Sequence, residues 1–420
     1  MENGNAGQVS HRLHRLSGDA WLLNFSAFFA DLGYQGVTAL FPLWVVLELH
    51  RAVYWYGLIT GIAFGVGALF AYVGGRVGDR FDKKYVSIAG NSLLPLMALS
   101  GLTHHLWASG LLFVLGWWAR YFRTPPRRAL LVHVTAEEAR AQAFGMLHAL
   151  DIAGGMLSAL LAMLFLWLRV PMGRIILYAA VPLVISTVLL LFVKRTKLYT
   201  QATPLKEVPA EVRDAKSDRR LFMAMLFAAT LYGFSFYNLG FPILTAANGH
   251  ANRGAYEMGV LAYVLYLGVS AVSGYVLAVI RNRPLRSLWL LGYLPSALAS
   301  GLIGLSVALH MPMVTFYGAV IVLGLGMGAV ETFEPTLTSS LVGGARLSRG
   351  MGLLSVSRSL GQFLSNVAMG LLFALSESVP YFYAFAAAMA ATLILGVADV
   401  RHRRRKAQGP TGGVARDAVA

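Results

Sequence analysis

Glu331 and Glu334 stand one helical turn apart in VETFEPTLTSS, residues 330–340, with Pro335 directly after the second. They lie inside an apolar run from Met311 to Val342. Five more charges interrupt apolar runs in the same way: Asp31, Arg120, Arg123, Asp151 and Arg358. A carboxylate can bind and release a proton, and a guanidinium can hold an anion. Two carboxylates a turn apart repel when both are ionised, and weakly polar surroundings add a desolvation cost, so such a pair favours holding one proton. A proton held there can be taken from one side of a barrier and released on the other. Glu334, beside the Pro335 break, is the expected proton carrier, with Glu331 tuning it and Asp31 as its rival.

Other chemistries lack their residues. No phosphate-cradling G-x-x-x-x-G-K-[ST], no H-E-x-x-H and no G-x-S-x-G is present. The ten histidines are scattered, and the absence of cysteine removes disulfides and thiolate metal sites. No enzyme, cofactor or metal is expected.

The elements that must position these charges are membrane helices. The 420-residue chain is 57% hydrophobic and only 13% charged, where a soluble domain has roughly 25% charged residues, and its mean hydropathy is +0.62. Its apolar runs are long enough to cross a hydrocarbon core of about 30 Å as helices, which satisfy their own backbone polar groups in lipid. Twelve spans are read, near 20–48, 53–76, 85–103, 106–126, 141–168, 171–193, 220–247, 256–280, 287–309, 312–342, 346–376 and 379–400. The intramembrane charges sit mostly about 16 Å from a span end at 1.5 Å per residue. An isolated charge at that depth costs at least about 2.5–3.5 kcal/mol, so each needs a partner or a task.

The net charge of +16 is explained by topology. With both termini cytoplasmic, 28 of the 35 lysines and arginines fall in inside segments, four (Arg51, Arg169, Arg174, Arg253) outside, and three within spans. That asymmetry follows the positive-inside rule and argues for a multi-pass protein of a cell (inner) membrane, in contact with the bilayer and not with nucleic acid. The first residues lack a short apolar region with a small-residue cleavage site, so span 1 reads as an uncleaved anchor.

The chain divides into an N-terminal segment (1–19), a six-helix unit (20–193), a cytoplasmic linker (194–219), a second six-helix unit (220–400) and a basic, disordered tail (401–420). The halves look related. Asp31-Leu32-Gly33-Tyr34 in span 1 answers Asn238-Leu239-Gly240-Phe241 in span 7 at an offset of 207, and Pro126 and Pro335 are each followed fourteen residues later by an arginine. Repeat-built transporters place their site near the midplane, between the repeats.

GGRVGDRFDKKYV, between spans 2 and 3, carries Gly75, Asp79, Arg80, Lys83 and Lys84 in the spacing of the loop signature of the major facilitator superfamily, with Asp82 in place of its second glycine. With the twelve spans and central linker, almost the whole chain resembles that superfamily. RTPPRRALL at 123–131 and ETFEPTL in span 10 resemble a bacterial subgroup, which usually has D-x-x-x-E where this chain has Asp31 and Gln35. Ser158-Ala159 stands where many antiporters of the superfamily have Gly-Pro.

The resemblance implies an all-α membrane protein with two pseudo-symmetric six-helix bundles, rocking around a cavity lined by spans 1, 4, 7 and 10. Asp31, Arg120, Arg123, Asn238, Glu331 and Glu334 all fall on those spans. The arginines, Asn238, Tyr34, Tyr237 and Gln35 are the expected cavity groups. Pro125-Pro126 is expected to loosen span 4 and free the Tyr121 and Phe122 carbonyls. Gly75, Gly78, Asp79, Arg80, Lys83 and Lys84 are the expected latch of the outward-open state. Asp151 and Arg358, on spans behind the cavity, read as a structural ion pair, with His148 one turn before Asp151 as a hydrogen-bond partner.

The functional expectation is a monomeric secondary transporter that exchanges or co-transports protons with a small organic solute, with a lean to export. Symport uptake of an organic anion or zwitterion is the alternative. From another class, the alternative is a membrane sensor or assembly factor that keeps the fold without transporting.

Overall fold

The computed structural model describes residues 16–136, 139–194, 215–235, 239–248, 254–280, 283–342 and 347–407. The expected linker residues 195–214 and tail residues 408–420 fall outside these. Among the described residues there is no β-strand, and the helices group into twelve spans.

The first half comprises α1 (Gly18–Leu43, continued by a π-turn Trp44–Glu48), α2 (Val53–Gly65 and Gly67–Arg80), α3 (Lys83–Ser92, ending near Leu102), α4 (Leu106–Val134), α5 (Arg140–Trp167) and α6 (Met172–Tyr178 and Ala180–Phe192). The second comprises α7 (Ala215–Ser235 and Gly240–Asn248), α8 (Ala255–Ile280), α9 (Pro284–Ser287, a π-turn Leu288–Tyr293, and Leu294–Ala308), α10 (Met313–Leu341), α11 (Leu347–Leu372) and α12 (Val379–Ala407). Ten of the twelve are long and apolar enough to cross a membrane on composition alone. The two that fail that measure are α4 and α11, which carry Arg120, Arg123, Arg127 and Arg128, and Arg349 and Arg358.

Helix ends differ from expectation where side chains extend or stop them. α12 continues past Val400, because Arg403 clamps Asp399 one turn back with two hydrogen bonds of 2.9 and 2.8 Å. Helix α7 begins at Ala215, inside the expected linker. Asp82 caps α3, its carboxylate accepting from the Lys84 amide at 2.9 Å. That cap accounts for an aspartate where the loop signature has glycine.

Gly18 and Ala407 lie at one end of the molecule, the proximal end. At the opposite, distal end a single apolar core joins the halves, running from Tyr34, Phe41 and Tyr56 through Phe113 to Phe241, Ile243, Phe316 and Tyr381. Toward the proximal end the core splits. Ala20, Leu23, Leu130 and Leu147 pack within the first half, and Met225, Tyr232, Tyr293 and Phe333 pack within the second. Shared packing at one end and separate packing at the other leave a cleft that opens proximally.

The distal seal is built on close backbone approach. A Cβ on Gly57 of α2 would stand 2.9 Å from the Cα of Gly370 in α11, so only glycine lets these helices meet.

Candidate functional site

The charges gather where the common core divides. On the first half, Asp31 is 5% exposed and accepts a hydrogen bond from the Tyr34 hydroxyl, one turn along α1. A face of the same ring carries a cation: the Arg120 guanidinium carbon lies 4.7 Å from the Tyr34 ring centroid, 5.0 Å from Trp117 and 5.9 Å from Tyr121. Three aromatic faces thus hold one arginine, an attraction worth about 2 kcal/mol when desolvated. Tyr34 stands between Asp31 and Arg120, so acid and base are linked through a neutral ring.

Arg123 and Arg127 continue the stripe on α4 and are 1% and 5% exposed. Their Nε and Nη1 atoms have no hydrogen-bond partner among the described residues. Such donors are costly unless something charged approaches them. α4 remains one helix through Pro125-Pro126. The Phe122 carbonyl, deprived of a donor by Pro126, packs on Gly74 of α2, where a Cβ would lie 2.7 Å from the Phe122 carbonyl carbon. Gly78 meets Pro126 in the same way, at 2.8 Å, whereas Gly75 has room for a Cβ, 3.7 Å from Pro125. The essential contact therefore belongs to Gly74, which the loop pattern did not single out, rather than Gly75. Asp79 and Arg80 are exposed at the end of α2, and Lys84 donates to the Leu191 carbonyl at 2.9 Å.

On the second half, Arg358 of α11 reaches both glutamates of α10. Its Nη2 donates to Glu331, and its Nε lies 3.4 Å from Glu334 Oε2. This corrects the expected Asp151–Arg358 pair. The rotation of α11 turns Arg358 onto α10, and Asp151 of α5 keeps an Oδ1 with no hydrogen-bond partner, from His148 or elsewhere among the described residues. The two glutamates differ sharply: Glu334 is fully buried, while the Glu331 side chain is 51% exposed.

Glu334 Oε1 accepts from the Tyr293 hydroxyl at 2.6 Å. Tyr293 stacks on Tyr232 with centroids 4.3 Å apart, and Tyr232 donates to Ser296 Oγ at 2.9 Å. Neither tyrosine was found from the sequence. Tyr293 lies in the apolar run LWLLGYLP with no motif around it, and only the π-turn of α9 aims it at α10.

Polar links cross between the halves. Tyr263 of α8 donates to Gln35 Oε1 of α1 at 2.5 Å. Thr60 of α2 donates to Asn366 Oδ1 of α11 at 3.5 Å. Tyr237 and Asn238 lie outside the described residues. No group of three or more His, Asp or Glu among the described residues could hold a metal ion.

A family model described as Major Facilitator Superfamily matches residues 23–366. The chain belongs to the major facilitator superfamily. It is a membrane transporter, and neither its family nor its relatives point to an enzyme. The multidrug resistance protein MdtH of Photorhabdus laumondii is 26% identical over 80% of this chain and 83% of its own length. MdtH of Proteus mirabilis is 33% identical, but over 30% of this chain and 32% of that protein. A solved POT family transporter in complex with 5-aminolevulinic acid superposes with a TM-score of 0.73 over 91% of this chain and 96% of that one, at 14% identity. That likeness extends to the fold, the twelve-helix arrangement of the superfamily.

Within that fold, Ser158 makes a specific contact where the antiporter pattern has glycine. Its hydroxyl donates to the Leu32 carbonyl at 2.6 Å and fills the space beside Gly36, tying α5 to α1 next to Asp31.

Proposed function

We propose that this transporter exports amphiphilic organic cations in exchange for protons, with Glu334 as the proton carrier. One observation carries the reading: a fully buried carboxylate is held by a tyrosine hydroxyl and shares one arginine with a half-exposed glutamate, at the floor of the cleft. Its relatives named multidrug resistance protein support the substrate class and the direction.

The charge count gives the mechanism. With both glutamates ionised, Glu331, Glu334 and Arg358 carry one excess negative charge, which attracts a cation and opposes closure of the cleft around it. A proton on Glu334 leaves Arg358 and Glu331 as a neutral pair. Either a cation or a proton cancels the excess, and both together do not fit, so each displaces the other. Neutralisation lowers the desolvation cost of closing the proximal end and permits the rocking movement.

The excess of basic residues in the inside segments supports cytoplasmic termini, and with them a cleft open to the cytoplasm; in this reading the chain works as a monomer in the inner membrane. Asp79 and Arg80, exposed at the proximal end, then belong to a latch that is released while the cleft faces inward and engages when it faces out. The two six-helix units meet across the linker as rigid halves of that movement.

The test is uptake of tetraphenylphosphonium into inverted proteoliposomes under an imposed pH gradient. Gradient-driven accumulation by the wild type and none by Glu334→Gln supports exchange. Accumulation that survives Glu331→Gln and Glu334→Gln alike removes the proposed role. A second reading, uptake of an organic anion, is favoured by the unpartnered nitrogens of Arg123 and Arg127. It predicts inward transport of a carboxylate that depends on Arg123.

A further inference from the structure

A groove of about 450 Å³ lies between the proximal parts of α7 and α12, far from the charged cleft floor. Its floor is apolar, made by Leu221, Ala224, Leu393, Ile394, Val397 and Ala398. Its rim is basic, with Arg220, Arg401 and His402. Large apolar side chains in and beside it are open to the surroundings: Leu393 of α12 in its lining at 61%, and Met223 and Phe227 of α7 at 58% each. In a spanning helix such side chains face lipid, so the groove opens into the bilayer at the level where headgroups begin.

Among the described residues, the two arginines at its rim have no acidic partner. Asp399 is the nearest acid along α12, but it is 4% exposed and already taken, by Arg403 at 2.8 Å and by Trp289 Nε1 at 3.1 Å. Arg403 is thereby turned to its own helix, whereas Arg220 and Arg401 are exposed and have no acidic partner among the described residues.

We propose that this groove is a binding site for one anionic phospholipid, with its phosphate between Arg220 and Arg401 and an acyl chain along the apolar floor. Charge and shape agree on the occupant. Basic side chains at the membrane surface each add about a fivefold preference for an anionic headgroup, and the floor adds burial of hydrocarbon. A lipid there bridges α7 and α12 on the outer face of the second half.

The experiment is native mass spectrometry of the full chain in detergent, titrated with phosphatidylglycerol, phosphatidylcholine or inorganic phosphate. The expected result is one retained phosphatidylglycerol per chain, weaker phosphatidylcholine, and no displacement by phosphate. Arg220→Gln with Arg401→Gln should weaken phosphatidylglycerol by about 25-fold, two cations acting at about fivefold each. Arg220→Lys with Arg401→Lys should keep most of it, which separates lost charge from lost folding. Arg286→Gln, a basic change outside the groove's lining, should leave it intact, and Ala224→Phe, which fills the floor, should reduce it. Equal retention of both lipids, an unchanged double glutamine variant, or displacement by phosphate alone would each overturn the proposal.

Discussion

The Tyr263 hydroxyl donates to the Gln35 side chain at 2.5 Å, across 228 residues of sequence and between the two halves of the transporter. It lies at the lower edge of the distal core, directly above the cleft, and Gln35 is one turn from Asp31. In the proposed rocking cycle, a bond in that place belongs to the distally closed state and breaks when the distal end opens.

Replacing it should therefore shift the balance between states. Tyr263→Phe removes about 1 kcal/mol of net hydrogen bonding from the distally closed state, raising the distally open population about fivefold. The chain has no cysteine, so spin labels at Arg51→Cys and Leu375→Cys report distal opening directly. An unchanged distance distribution would mean that the bond persists in both states.

Glu334→Gln should uncouple transport from the proton gradient. The amide retains the hydrogen bond from Tyr293 but takes up no proton. Gradient-driven flux should fall to background, because residue 334 no longer carries a proton, and its pH dependence should flatten. Exchange of the cation at equal pH should weaken as well, because Arg358 and Glu331 then form a neutral pair with no excess charge to attract it.

Arg358→Ala should be the most destabilising change at the site. It strands a fully buried carboxylate, which costs about 3–5 kcal/mol when the other partner of a buried pair is removed. Adding Glu334→Gln should recover most of that loss. Glu331→Gln alone should cost no more than about 1 kcal/mol, since half of Glu331 is exposed. Thermal unfolding of the purified variants ranks all three.

Neighbouring glycines in α2 should respond in opposite ways. Gly74→Ala drives a methyl into the Phe122 carbonyl and should cost about 1–3 kcal/mol through overpacking. Gly75→Ala has ordinary contact distance to Pro125 and should be neutral. Comparable melting temperatures for both variants would contradict the close approach of α2 and α4.

Much of the framework was legible in the chain itself. Hydropathy is a local property, so the spans could be counted from one-dimensional runs, and even α4 and α11 were readable despite their arginines. The loop residues Gly75, Asp79, Arg80, Lys83 and Lys84 were enough to point to the superfamily. Capping is local too, and Asp82 two residues before the Lys84 amide was open to reading as an N-cap, although the pattern presented it only as a departure.

The amino-acid sequence by itself determined that this is a twelve-span membrane transporter and how far along its span each charge stands, because hydrophobicity and rise per residue act along a single helix. Tertiary structure alone decided which charges meet. The rotation of α11 about its axis turned Arg358 toward α10 and away from Asp151, and the π-turn in α9 brought Tyr293 to Glu334. It also decided which end is sealed, since that depends on glycines such as Gly57 and Gly370 meeting across helices more than 300 residues apart. Orientation between distant helices leaves no periodic trace in either of them, and it is there that the site is made.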